Sequence, residues 1–378
     1  MNPPPTKRIY GLDILRAAAI LFVIQSHGLV FVRPHLKPDT LHAYWLFILD
    51  GVDLFFVLSG FLIGGILLRI MDGTGLGWKQ LTGFWVRRWF RTLPNYFLVL
   101  LFLLAAYFYA YDAFPERFLH FFLFIQNFNS PHPDFFPEAW SLSVEEWFYL
   151  LIPLGLFLLS RVSKYKREVL LGWIVFILVT VTFYRIYKSH THSYMLEGTW
   201  DMNIRKQVLT RLDSIMYGIL GAYLSQYYYQ AWTRHKNTLL IAGLVILFGS
   251  RALGSVNSLY YEYFYLTFQS IGTFLLLPKL QTISRGKGVL YKAITFISVI
   301  SYSMYLLHLT VVLKIFMPPL LAWMGLVIGS HWLVSGLCYL LYLSITIGLS
   351  YLLYTFFERP IMMLREKYKP RKNIAVEQ

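Results

Sequence analysis

The sequence predicts an all-α, polytopic membrane protein with about ten transmembrane helices plus one short re-entrant or interfacial helix. Three observations carry that prediction. Apolar runs long enough to cross a bilayer recur from Ile9 almost to the C-terminus. Hydrophobic residues make up 57% of the 378 and charged residues only 14%, with a mean hydropathy of +0.53, which no soluble chain of this length could cover with polar surface. The Lys and Arg residues fall in short loops between the apolar runs, where orientation in a membrane would place them.

In chain order, the runs lie near 9–32, 45–70, 94–111, 140–159, 168–187, 209–228, 237–253, 259–278, 291–316 and 332–357. The first follows a short basic N-terminus and has no small-residue cleavage site, so it reads as a retained helix rather than a removed signal peptide. A further candidate, 117–128, is about a dozen residues long. At 1.5 Å per residue it covers only ~18 Å of a ~30 Å hydrocarbon core, so it reads as re-entrant or interfacial. Leaving it out puts the RRWFR and SRVSKYKR loops on one side, together with Lys7, Arg8 and the basic segment from Arg359 to Lys372. That side is then cytoplasmic, and both termini lie there.

The same placement explains the net charge of +15 without a nucleic-acid partner, because cationic loops face an anionic leaflet. The single cysteine, Cys338, excludes an intrachain disulfide and a multi-thiolate metal site, and no metal is expected. No internal repeat or linker divides the chain. One membrane domain over 1–358 with a basic cytoplasmic tail over 359–378 is the expected organisation.

Charged groups inside the spans mark candidate functional positions, since each is costly in hydrocarbon. Arg16 and His27 are 11 residues apart on the first span, close to three turns, so they share a face about 16 Å apart. Asp50 and Asp53 open the second span, whose Gly60 and Gly64 suit the close approach of another helix. Arg88 and Arg91 are spaced i, i+3, which suits clamping of phosphates. Glu145 and Glu146 begin the 140–159 span and diverge by about 100°, so one can face the interior. Arg211 and Asp213 sit at similar depth, and mutual neutralisation is the simplest account of them. Ser301, Tyr302 and His308 lie in the middle and outer half of the 291–316 span. A cationic inner mouth and an outer chamber of acids and bases suit a reaction that takes an anionic donor from the cytosol and uses it outside.

At these residues the chain resembles the acyltransferase family 3 proteins, the bacterial integral-membrane acyltransferases. The matching motifs are the R-x10-H of Arg16 and His27, GVDLFFVLSGFLIG, the R-x-x-R of Arg88 and Arg91, AWSLSVEEWFYLLIPL, RLDSIMYG, ISYSMYLLH and the terminal FERP. They occur in order from residue 8 to about 360. The resemblance implies transfer of an acyl group, commonly acetyl, from cytosolic acyl-CoA to a hydroxyl of a cell-surface or lipid-linked glycan, at the inner (plasma) membrane. It also implies that His27 is catalytic and that Arg16, Arg88 and Arg91 handle the donor, with no permanently bound cofactor. Some members carry an extracytoplasmic SGNH-type esterase domain. None is expected here, so the membrane domain or a separate envelope-biosynthesis protein completes the reaction.

On this reading His27 takes the acceptor's hydroxyl proton, or carries the acyl group itself. Glu145, ahead of Glu146, orients the imidazole or receives the acceptor. Asp53, Glu146, Arg211, Asp213, Tyr302 and His308 form the supporting or acceptor-side set. The competing reading is a proton-coupled transporter or flippase of an envelope precursor, with His27, Glu145 and Asp213 as a relay.

Overall fold

A computed structural model of the chain describes residues 8–162, 165–192, 194, 198–327 and 330–367. Lys7, Lys164 and the part of the expected basic tail beyond residue 367 lie outside these residues. Among them the secondary structure is helical, with no strand. Eight helical segments are long and apolar enough to cross a membrane. A helix satisfies its own backbone polar groups, which is why such runs adopt no other form in hydrocarbon.

The helices are α1 (Tyr10–Val32), α2 (Pro38–Phe47), α3 (Gly51–Asp72), α4 (Trp78–Tyr111), α5 (Phe118–Phe122), α6 (Ala139–Val162), α7 (Lys166–Thr191), α8 (Leu212–Tyr227), α9 (Tyr229–Arg234), α10 (Lys236–Val256), α11 (Ser258–Tyr263), α12 (Tyr265–Leu280), α13 (Gly288–Leu307), α14 (Met317–Val327), α15 (His331–Leu353) and α16 (Arg359–Lys367). Two of the runs predicted to span, 209–228 and 259–278, correspond to α8 and to α11 with α12. Both α8 and α12 have 16 residues, about 24 Å of helix against a core of ~30 Å. The 117–128 segment holds only the five-residue α5, too short to span.

The other differences have local causes. The 45–70 run divides at 48–50, where Asp50 caps α3 by accepting a hydrogen bond from Val52 N at 3.1 Å. The RRWFR stretch is not a loop but the first half of α4, which runs 34 residues through Pro94 and stops at Asp112 in the left-handed region. α13 passes at His308 into wide π-turns over His308–Phe316, and α15 does the same over Tyr354–Glu358.

α1 is central and packs on α3, α12, α13 and α15. α8 lies along α3, and small residues set that approach. A Cβ placed on Gly60 would stand 1.9 Å from Ile215 O, and one on Gly218 would stand 2.0 Å from Val57 O. The GxxxG of α3 therefore does bring two helices into backbone contact.

Candidate active site

Three cavities follow one another through the helix bundle, each sharing lining residues with the next. The basal cavity, about 590 Å³, opens beside the start of α1 and is lined by Arg8, Arg16, Arg69, Arg88 and Arg91. The middle cavity, about 100 Å³, shares Arg16, Arg88 and Arg91 with it and adds Ser59, Glu145 and Tyr302. The distal cavity, about 390 Å³, shares Val52 and Tyr305 with the middle one and holds His27 and His308. The 11-residue offset read from the sequence thus puts Arg16 on the basal and middle cavities and His27 on the distal one.

In the basal half, Asp13 organises the cations. It pairs with Arg8, accepts from Ser298 Oγ at 2.9 Å and lies 3.6 Å from Arg16 Nη1. Glu358 of the FERP motif accepts from Asn95 Nδ2 at 2.8 Å and Ser303 Oγ at 2.7 Å, tying the end of α15 to α4 and α13. The i, i+3 spacing does turn Arg88 and Arg91 toward the same two cavities.

In the middle cavity, Glu145 accepts from Ser59 Oγ at 2.8 Å and from Tyr149 OH at 3.1 Å. Glu146 turns away from the path, as the 100° divergence requires, and accepts from Thr92 Oγ1 at 2.7 Å beside a lateral apolar cleft. Tyr302 donates to Thr92 O at 2.6 Å.

The distal half contains a histidine dyad. His308 Nδ1 lies 2.7 Å from Tyr305 O, and His308 Nε2 lies 3.0 Å from His27 Nδ1, which is also 3.1 Å from Val23 O. A carbonyl can only accept, so His308 carries its hydrogen on Nδ1 and presents a bare Nε2. His27 Nδ1–H then donates toward His308 Nε2 and Val23 O, which leaves His27 Nε2 with a free lone pair. Both rings are fixed in the tautomer that a base requires. The side chain hydrogen-bonded to His27 is His308, while Glu145 stands in the neighbouring cavity.

Around the dyad, Arg205 binds Asp50 at 2.7 Å and Asp201 at 2.9 Å, and covers the Trp140 ring at 5.2 Å. Burial would raise Asp201, but Arg205 and Lys206 outweigh it and hold the carboxyl below its ordinary range. Glu138 accepts from Thr310 N at 3.1 Å and Thr310 Oγ1 at 2.6 Å. Burial pushes it up to about 7, against the Thr310 hydrogen bonds and the charge of Lys314.

Asp53, Arg211 and Asp213 lie outside the cavity walls. In direct contact, Arg211 pairs with Asp53 of α3, while Asp213 is bound at 2.8 Å by Arg185 of α7; Arg211 and Asp213 act on one another only at longer range. Sequence reasoning passed over Arg185, Arg205 and Glu138. Arg185 was visible as an arginine within an apolar run. Glu138 directly precedes the AWSLSVEE motif, and nothing marks Arg205 in its short polar loop.

Comparison with known proteins agrees with the resemblance. The chain is 30% identical over 241 residues to a Staphylococcus aureus (strain COL) protein named "Putative O-acetyltransferase", covering 57% of this chain and 35% of that one. It is also 30% identical over 184 residues to the peptidoglycan O-acetyltransferase OatA of Listeria monocytogenes, covering 43% of this chain and 26% of the relative. The chain thus spans between a quarter and about a third of the length of these relatives. No solved structure matches it significantly. A family model described as an acyltransferase domain matches residues 9–355, and the chain belongs to acyltransferase family 3.

Proposed function

We propose that the protein is a membrane-bound O-acyltransferase that moves an acyl group, most naturally acetyl given the names of its relatives, from acyl-CoA to a hydroxyl of a glycan acceptor. One observation carries this reading: a row of adjoining cavities runs from an arginine-rich one to one lined by the hydrogen-bonded pair His27 and His308. Arg88 and Arg91 bind the CoA phosphates, and Arg16 steadies the polar arm of the donor where the basal and middle cavities meet. The thioester reaches along the middle cavity. The acceptor enters the distal cavity, where the Tyr261 ring and the Asp50–Arg205–Asp201 array suit a sugar.

His27 Nε2 takes the proton of the acceptor hydroxyl as its oxygen attacks the thioester carbonyl. The C–S bond breaks, the departing CoA sulfur recovers that proton from the imidazolium, and an ester remains on the acceptor. The cluster of Arg8, Arg69, Arg88 and Arg91 at the basal end supports, by the positive-inside rule, a cytoplasmic basal end in a plasma-membrane protein with both termini on that side.

The test is transfer of label from acetyl-CoA to a hydroxylated acceptor by purified protein. Wild-type protein transfers or slowly hydrolyses acetyl-CoA, His27→Ala does neither, and Arg88→Ala raises KM for acetyl-CoA more than for the acceptor. A transporter would consume no acetyl-CoA in detergent, and that result from wild-type protein overturns the proposal.

A further inference from the structure

Glu138 belongs to none of the arginine or histidine motifs, yet it grips both sides of His308. It sits at the end of the segment that leads into α6, is 3% exposed and lines the distal cavity. Its carboxylate takes both donors of Thr310, two residues after His308. Its backbone carbonyl accepts from Tyr305 OH at 3.0 Å, three residues before His308. Tyr305 is also the residue whose carbonyl orients His308 Nδ1, and its hydroxyl is held a second time by Ser141 Oγ at 2.6 Å.

The backbone between these two grips is unusual. His308 is the first residue of the π-turns that follow α13, and such turns are rare and found mostly as short interruptions at functional sites. The hydrogen bonds to Tyr305 O and His27 orient the His308 ring within the turn, and the turn itself is held from outside. Thr310 N–H and Oγ1, both bound by one carboxylate, supply that hold from a different part of the chain.

We propose that Glu138 is a positioning residue of the transfer reaction: by clamping the π-turn through Thr310 it fixes the ring of His308, and through His308 the tautomer and direction of His27. This rests on the reading of His27 as the base. Glu138 itself touches neither histidine by hydrogen bond and takes no part in the proton transfer.

A double-mutant cycle on the full-length protein in detergent tests it, with labelled acetyl-CoA and kcat and KM measured separately. Glu138→Ala lowers kcat about 10- to 100-fold, by analogy with the loss when the outer-shell partner of a metal-ligating histidine is removed. KM for acetyl-CoA stays within about twofold, because the donor arginines line the other cavities. Glu138→Gln keeps most activity, since its amide oxygen takes Thr310 N–H and its amide NH2 donates to a rotated Thr310 hydroxyl. The variant carrying both Glu138→Ala and His308→Ala is no slower than His308→Ala alone.

Losses that multiply in the double variant overturn the proposal, as does a Gln variant as impaired as the Ala one. Should Glu138→Ala not fold, Thr310→Val replaces it, because it removes one of the two bonds at nearly constant shape. It lowers kcat in the wild-type background and leaves the His308→Ala background unchanged; equal losses in both backgrounds overturn the proposal. His27→Ala in the same assay separates the two claims. If that variant transfers acetyl, the assignment of the base has failed, whereas an inactive His27→Ala with multiplicative losses in the cycle removes Glu138 alone.

Discussion

Arg185 and Arg211 are fully buried guanidiniums, the first ion-paired with Asp213 and hydrogen-bonded to Thr210 and Thr267, the second ion-paired with Asp53. Removing one partner of such a pair leaves an uncompensated buried charge, at a cost of about 3–5 kcal/mol. Arg185→Ala is therefore expected to lower the unfolding midpoint in detergent sharply, while Arg185→Met combined with Asp213→Leu recovers most of it. If the single variant is as stable as wild type, Asp213 does not depend on that partner. The sequence placed Arg211 beside Asp213 but could not pair them correctly: residues two apart on a helix point to opposite sides, and their true partners lie on α3 and α7. Glu138 gives a second residue-level expectation. Its folded pKa of about 7 stands above the ordinary 4.5, through burial opposed by the Thr310 hydrogen bonds and by Lys314. The folded state therefore holds the proton more tightly, and this contribution to stability is complete below about pH 4.5 and lost as pH rises through 7. The unfolding midpoint of wild type should fall between pH 5 and 8 by more than that of Glu138→Gln, and parallel curves would refute the shift.

At the scale of elements, packing rests on where side chains are missing. α3 and α8 approach through Gly60 and Gly218, where an added Cβ would meet backbone at 1.9 Å and 2.0 Å, atoms that cannot rotate away. Gly60→Leu must push the helices apart and is expected to cost about 1–3 kcal/mol or more. A methyl group added to Gly249 of α10 would meet nothing within 4 Å, so Gly249→Ala is expected to gain about 0.5–1 kcal/mol through helix propensity alone. Unfolding midpoints of the two variants check the contrast, and equal effects would show that the α3–α8 contact is not tight. The apolar runs made the existence of most helices legible, because period and length are local properties. Their interruptions were not. The break before Gly51 depends on a cap, and the π-turn at His308 is held by a carboxylate 172 residues away, so neither leaves a local signature.

For the whole molecule, the proposed reaction follows the order of three adjoining cavities in the bundle. The order of the groups along that axis was legible in the sequence, since Arg16 and His27 on one helix act as a ruler. The narrowing between them was not, because the width of a passage is set by side chains from α3, α4, α6 and α13 together. Ser59 stands on that narrowest stretch and donates to Glu145, so two substitutions there separate filling from hydrogen bonding. Ser59→Ala removes the bond without adding bulk and is expected to lower kcat less than tenfold. Ser59→Leu fills a space of about 100 Å³ with a larger side chain, blocks the donor arm and lowers kcat at least 100-fold, a barrier increase of about 2.7 kcal/mol. Binding of acetyl-CoA through its phosphates, measured by calorimetry, changes little in either variant because the arginines of the basal cavity are untouched. If Ser59→Leu transfers acetyl at the wild-type rate, the acyl group does not travel through the middle cavity, and donor and base must meet by another route.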